Sequence, residues 1–367
     1  MTELAERLAR RTLALVDVPS ESRNEAAIVE AIGSSVPAAF DSVDQDDSCL
    51  AYLPATRRPD VPLVLLAGHV DTVPIAGNVP GHREGDTIVG RGAADMKAGV
   101  AVMQELMADA AAGALSTEVD VGFLFFGREE VSTDEGALVP LLERRPELAA
   151  ADLAIMLEPT ANALEVGCLG NLVAAVHVEG VAAHSARPWL GDNAIHRAIT
   201  ALASIADLPV RDVEIDGLVF REVVSVTRIE GGVAANVVPD RVEATVNLRY
   251  APNHTPRDAE SRIRELLGHH AVEVSIVSNA PPGPVAVRDP LVERLRRAGD
   301  LEVRPKQAWT PVAEFAQADI PAVNFGPGDP QYAHRDDERV EVAALVRSYE
   351  VLRSYLAGGH AAGDVGA

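Results

Sequence analysis

The sequence predicts an α/β protein: a mainly parallel sheet flanked by helices, with a smaller β-α-β-β-α-β domain inserted into it. Three observations carry this. The stretch V-P-L-V-L-L-A-G-H-V-D-T-V-P (61–74) starts as a short Val/Leu run bounded by turn-formers. That is the pattern of a strand buried on both faces. Helix and strand signals alternate through residues 1–170, which implies crossover connections and a parallel sheet. After Gly170 the pattern becomes strand, helix, two strands, helix, strand, the split βαβ order. The boundaries read as 1–170 and 284–367 for the main domain and 171–283 for the inserted one.

In chain order, helices are expected at about 2–17 and 22–34, and strands at 48–54 and 62–68. Gly81 to Gly92 is rich in glycine and charge and reads as a surface loop or hairpin. Asp95 to Gly113 reads as a helix with Met96, Val100, Met103 and Met107 on one side. A strand (119–126), a helix (135–144) and a strand (151–157) follow. In the inserted domain, strands are expected at 171–179, 222–230, 238–249 and 272–277, and helices at 192–206 and 256–267. N-A-P-P-G-P-V (279–285) reads as the return linker. A helix from Pro290 to Ala298, a strand at 320–325 and a helix at 340–356 rejoin the main domain. The tail G-G-H-A-A-G-D-V-G-A reads as disordered.

Composition narrows the function classes. Of 367 residues, 32 are Lys or Arg and 55 Asp or Glu, a net charge of −23. So acidic a surface argues against nucleic acid and anionic membranes as partners. No apolar run approaches the ~20 residues of a membrane span. The charged, amphipathic start does not read as a signal peptide. The two cysteines, Cys49 and Cys168, offer no disulfide framework, which fits a reducing cytoplasm.

The chemistry-bearing residues collect where apolar strands end. His69 and Asp71 close the first run; in open α/β sheets ligands bind at the carboxyl ends of strands. An imidazole with a carboxylate two residues on supplies a metal ligand and a partner that fixes its tautomer. G-R-G-A-A-D-M-K-A-G puts Asp95 at a helix start, G-R-E-E brings Glu129 and Glu130, L-E-P-T brings Glu158, and A-H-R-D-D-E brings His334. Each has an ordinary alternative: a capping Asp, solvated glutamates, a pre-proline turn, a surface histidine. Together, five strand ends finishing in metal-ligand residue types favour one metal centre.

Taken in order, G-H-V-D-T-V-P, G-R-G-A-A-D-M-K, E-E, E-P-T, A-H-S-A-R-P-W-L-G-D-N-A-I and G-P-G-D-P-Q-Y-A-H-R-D-D-E-R-V resemble the di-zinc aminoacylase/carboxypeptidase superfamily. Within it they are most similar to desuccinylases of the actinobacterial succinyl-diaminopimelate type. The resemblance implies a di-zinc exopeptidase-like catalytic domain and a cytoplasmic homodimer formed through the inserted domain. It implies two Zn2+ per subunit, replaceable by Co2+ or Mn2+. One ion would be held by His69, Asp95 and Glu158, the other by His334, Asp95 and Glu130. Asp71 would orient His69, and Glu129 would be the general base. His184 would reach the partner subunit's site and stabilise an oxyanion. Asn236, Arg249 and Arg187 would bind substrate, while Thr310, Gly326 and Gly328 would line the acyl pocket. Asn193 either assists them or supports its helix start. The implied reaction is hydrolysis of N-succinyl-LL-2,6-diaminopimelate to succinate and LL-2,6-diaminopimelate. The alternatives are deacylation of another N-acyl amino acid or small peptide, and a non-catalytic binding role.

One segment departs from the resemblance. In Q-A-W-T-P-V-A-E-F (307–315), Pro311 and Glu314 stand where such desuccinylases usually carry Asp and Arg. A succinyl carboxylate calls for a cation or several N–H donors. Glu314 therefore either faces solvent or marks a different acyl group.

Overall fold

The computed structural model describes residues 2–270 and 272–358, and from residue 359 on the expected disordered tail lies outside them. The chain forms two compact units. One comprises Met1–Val166, Ala286–Arg304 and Pro311–Ala367; the other comprises Gly167–Val285 and Pro305–Thr310.

The first unit is built on an eight-stranded sheet. Its centre is parallel, in the spatial order Asp120–Phe126, Leu63–His69, Leu153–Met156, Ala322–Asn324. Every residue of Leu63–His69 and of Asp120–Phe126 is buried, so these strands read as continuous runs rather than alternating ones. The margins are antiparallel: Phe40–Gln45 with Cys49–Pro54 on one side, Leu164–Val166 beside Ala322–Asn324 on the other. Helices Glu3–Val16, Lys97–Ala111 and Val342–Leu356 pack together. The stretch expected as a loop or hairpin contains paired strands His82–Glu84 and Thr87–Val89. The strand Phe40–Gln45 escaped the sequence reading because F-D-S-V-D-Q is mostly polar and lies on an edge.

Glycine sets the approach of the helix Lys97–Ala111. A Cβ on Gly99 would lie 2.4 Å from the carbonyl oxygen of Leu157. Only the bare backbone lets the start of this helix come so near the end of the Leu153–Met156 strand. Asp95 lies outside the helix, and the Asp95–Met96 peptide is cis. The capping alternative for Asp95 therefore falls away; its carboxylate is engaged elsewhere. The second helix likewise starts late, at Ala26, because Ser22 and Glu25 turn to other partners.

The second unit is a five-stranded antiparallel sheet in the order Arg211–Ile215, Leu218–Gly231, Arg241–Tyr250, Gly170–Glu179, Glu273–Ala280. Four of these strands with helices Ala194–Ala206 and Pro256–Leu267 make the expected split βαβ arrangement. Arg211–Ile215 is an added edge strand, polar and mostly exposed, and so left no apolar signal. Along Gly170–Glu179, Leu172, Ala174, Val176 and Val178 point inward, the period-2 pattern of a sheet covered on one face. Pro256–Leu267 has a complete capping box, Thr255 and Asp258 each accepting from the other's backbone.

Candidate metal centre

Six side chains converge at the carboxyl ends of the parallel strands of the first unit. His69 ends its own strand. Glu129 and Glu130 follow Asp120–Phe126, Glu158 follows Leu153–Met156, and His334 lies in the connection after Ala322–Asn324. Asp95 comes from the turn before Lys97–Ala111. The ligand atoms of His69, Asp95 and Glu158 lie within 4.8 Å of one another, as do those of Asp95, Glu130 and His334. Asp95 belongs to both groups. Its Oδ1 is 3.0 Å from Nε2 of His69, and its Oδ2 is 3.4 Å from Nε2 of His334. His334 Nε2 is also 3.0 Å from Glu130 Oε1, and His69 Nε2 is 3.9 Å from Glu158 Oε1. Glu129 joins a third group with His69 and Glu130.

The electrostatics are those of a crowded acid cluster. Burial pushes Glu129 well above the usual carboxylate range, and the nearby charges of Glu158, Glu130 and Asp95 push it further. Burial alone would raise Asp95, but its contacts with His334 and His69 hold it far below that range. Burial would lower His69, yet Asp71, Asp95, Glu158 and Glu129 together hold it well above neutral imidazole. His334, bonded to Asp95 and Glu130, is raised to about 10. Four carboxylates face two imidazoles; with all four ionised, protons on the two imidazoles would offset only half of the negative charge. Two divalent cations would balance all four carboxylates and leave the imidazoles neutral, as ligation requires. Nitrogen and oxygen donors three to an ion suit catalytic zinc, and are also compatible with cobalt or manganese.

Asp71 acts more broadly than expected. Nδ1 of His69 meets the main-chain oxygen of Asp71 at 3.0 Å, while the Asp71 carboxylate stands 3.6 Å off. That carboxylate accepts the backbone N–H groups of Glu129 and Glu130, both at 3.1 Å, and the Ser22 hydroxyl at 2.7 Å. Glu25, buried, accepts the next amide back, Arg128 N–H, at 3.2 Å. Three successive amides are thus gripped by two carboxylates. Arg128 is held in the left-handed region at φ +60°, so the turn presents both glutamates in one place. Ser22 and Glu25 went unnoticed in the sequence. They sit in S-E-S-R-N-E, which carries no metal-ligand pattern of its own.

Gly326 and Gly328 have a steric reason to be glycine. A Cβ on Gly326 would lie 2.3 Å from the Leu157 oxygen and 2.4 Å from the Glu158 oxygen; one on Gly328 would lie 2.2 Å from the Ala94 oxygen. Both press against backbone that carries a cluster side chain.

The other site candidates belong to the second unit. His184 and Asn236 are brought together: the two-residue strand Ala183–His184 pairs with Val237–Val238, and Ser185 N–H donates to the Asn236 oxygen at 2.9 Å. His184 is exposed, and its Nδ1 accepts the Ala186 amide at 3.1 Å. Arg187 precedes a short 3-10 turn, Pro188–Leu190. Asn193 caps Ala194–Ala206 through Ile195 and His196, the helix-supporting alternative. Arg249, on Arg241–Tyr250, donates to Asn247 Oδ1 at 3.0 Å, and burial lowers its pKa. Thr310 is buried, and its hydroxyl meets no partner among the described residues.

Glu314 does not face solvent. It is 6% exposed, on the helix Val312–Gln317 of the first unit. Its Oε1 lies 3.5 Å from where a Cβ on Gly136 would stand, below the loop that follows the tandem glutamates. Burial pushes it up to about 7. The sequence reading missed this because a six-residue helix offers too few turns to reveal its inner face.

Both cysteines are free and buried, and no helix among the described residues is long and apolar enough to cross a membrane. The pattern of peptidase family M20/M25/M40 matches residues 65–358. The chain is 40% identical over 347 residues to the putative succinyl-diaminopimelate desuccinylase DapE of Mycobacterium tuberculosis, covering 95% of this chain and 97% of that one. It is 37% identical to the succinyl-diaminopimelate desuccinylase of Corynebacterium glutamicum, covering 94% and 95%. Among solved structures it is similar to aminopeptidase PepT from Bacillus cereus, with a TM-score of 0.77 and 22% identity over 96% of this chain and 98% of that one. A metallo-carboxypeptidase from Sulfolobus solfataricus gives a TM-score of 0.75 and 17% identity, covering 97% and 99%. With the match spanning most of its length, the chain belongs to peptidase family M20/M25/M40.

Proposed function

We propose that this protein is a metal-dependent amide hydrolase that cleaves N-succinyl-LL-2,6-diaminopimelate to succinate and LL-2,6-diaminopimelate. The observation that carries the reading is the division of Asp95, one oxygen toward His69 and the other toward His334, with Glu129 beside them. The long, full-length similarity to desuccinylases supports the substrate class. His69, Asp95 and Glu158 would hold one zinc; Asp95, Glu130 and His334 the other. When bound, the pair supplies Lewis acidity for the amide carbonyl and a water of lowered pKa.

The chain's own residues do the rest. Glu129 takes a proton from the attacking water and passes it to the leaving amine. Burial, the largest cause of its raised proton affinity, suits it to that shuttle. Asp71 and Glu25 hold the backbone from which Glu129 projects. His184 donates to the developing oxyanion, Arg249 forks onto a substrate carboxylate, and Asn236 and Arg187 assist. Gly326 and Gly328 line the acyl pocket. The active unit is a cytoplasmic homodimer formed through the second unit, whose exposed Trp189, Leu190 and Ile199 support an interface there.

A second reading keeps the mechanism but changes the acyl group. The buried Glu314 favours it, because a carboxyl where desuccinylases carry Arg offers a succinyl carboxylate no cation. A hydrolysis panel decides: N-succinyl-diaminopimelate against N-acetyl amino acids, other N-acyl diamino acids and dipeptides, with and without added zinc. The desuccinylase reading expects the succinyl substrate to lead and a chelator to abolish turnover. Preference for another acyl group would establish the second reading, and chelator-resistant turnover would overturn both.

A further inference from the structure

A buried ion pair stands behind the bridging aspartate. Arg91 and Glu338 are 3% and 1% exposed, and Arg91 Nη1 is 2.9 Å from Glu338 Oε2. The other oxygen of Glu338 accepts the backbone N–H of Ala94 at 3.1 Å and of Asp95 at 3.0 Å. Arg91 also donates to the carbonyl of Arg335, the residue after His334, at 3.1 Å, and through Nε to that of Pro74 at 3.1 Å. Glu338 returns a main-chain bond, its carbonyl accepting Gly90 N–H at 2.9 Å. Thus one residue of the pair holds the turn that presents Asp95, and the other holds the loop that presents His334. His334 itself is left-handed, at φ +64°, a conformation that a histidine keeps only where its surroundings impose it.

The two partners are far apart in sequence yet form one fixture. A buried charge is tolerated when it is paired and hydrogen-bonded, and here each charge is both. Lysine could not replace Arg91 in full, because a single ammonium cannot span the Pro74 carbonyl, the Arg335 carbonyl and the Glu338 carboxylate in this forked geometry. Neither residue is among the six that converge on the cluster.

We infer that the Arg91–Glu338 pair is a positioning device that sets the spacing between Asp95 and His334, and so governs the binding step that needs Asp95, Glu130 and His334, the more exposed trio and here the second to fill, more than the step at the buried trio. The inference rests on the metal-centre reading above. The first trio, His69, Asp95 and Glu158, feels the pair at the Asp95 backbone and, more remotely, through the Pro74 carbonyl five residues past His69. The second trio feels it at both Asp95 and His334. Outer partners of metal ligands typically control affinity by ~10–100-fold.

The test is calorimetric titration of the metal-free full-length protein with Zn2+, for the wild type and for Glu338→Ala, Glu338→Gln, Arg91→Lys and His334→Ala. The wild type should take two ions, and His334→Ala one tight ion. Glu338→Ala and Arg91→Lys should keep the first step within a few-fold and weaken the second by ~10–100-fold. Glu338→Gln, which keeps an acceptor oxygen for the two amides, should fall between. Equal weakening of both steps, or of neither, in the folded variants would overturn the positioning role. Should Glu338→Ala fail to fold, Glu338→Gln and Arg91→Lys decide by the same criterion. A wild type that binds fewer than two ions, or a His334→Ala protein that still binds two, would instead overturn the metal-centre reading.

Discussion

Glu129 and Glu130 are adjacent in the chain and alike in chemistry, yet their surroundings divide them. Glu130 meets His334 at 3.0 Å and shares a trio with Asp95, whereas Glu129, among the described residues, groups with His69 and Glu130. The amide grip by Asp71 and Glu25 fixes this divergence at the backbone. If Glu129 moves the proton, Glu129→Gln should keep metal content near that of the wild type and lower kcat by at least ~100-fold, the lower range for general acid–base catalysis. Metal analysis beside steady-state kinetics checks this; substantial turnover by the variant would remove the base assignment. Glu130→Gln should instead lose metal first. Same-type neighbours with opposite symptoms are a sharper test than either substitution alone.

At the scale of elements, the sheet was legible and its fittings were not. Leu63–His69 and Asp120–Phe126 announce themselves because burial on both faces leaves unbroken apolar runs. His69, Asp95, Glu130, Glu158 and His334 could be picked out because each follows such a run or a glycine-rich turn. Glu25, Arg91 and Glu338 could not, since their work is to hold backbone amides and carbonyls, and no side-chain pattern records which backbone a carboxylate will meet. The short helix Val312–Gln317 was equally opaque, and its Glu314 yields a stability prediction. Its pKa is about 7 in the folded chain against 4.5 for a freely solvated glutamate. The folded state therefore holds this proton more tightly than the unfolded state, so the contribution of Glu314 to stability is fully present below about pH 4.5 and lost as pH rises toward 7. Glu314→Gln should remove this loss, by at most about 3 kcal/mol from the size of the shift. Urea unfolding should find the variant more stable than the wild type at pH 8 and about equal at pH 4.5. Equal stability at both would mean that the carboxyl ionises without cost where it lies.

At the scale of the whole molecule, His184 belongs to one compact unit and the acid cluster to the other. If the histidine serves a partner subunit, His184→Ala should cut kcat with metal content preserved. Mixing it with His69→Ala should restore part of the activity once subunits exchange. A mixture that stays inactive, with exchange verified by mass spectrometry, counts against sharing. The sheet order has a further consequence, for the order of synthesis. Ala322–Asn324 lies between Leu153–Met156 and Leu164–Val166, although it emerges from the ribosome long after both. Domains fold as their chain becomes available, N-terminal parts first. A nascent chain that has passed Glu158 owns the whole His69–Asp95–Glu158 trio, but the strand flanking it still has an unfilled edge. The second trio waits for His334, and the latch on Asp95 waits four residues more. A ribosome-stalled chain ending before residue 322 is therefore a half-site protein: able to offer one trio, unable to offer the other, and exposing the hydrogen-bonding edge that the last strand is due to occupy.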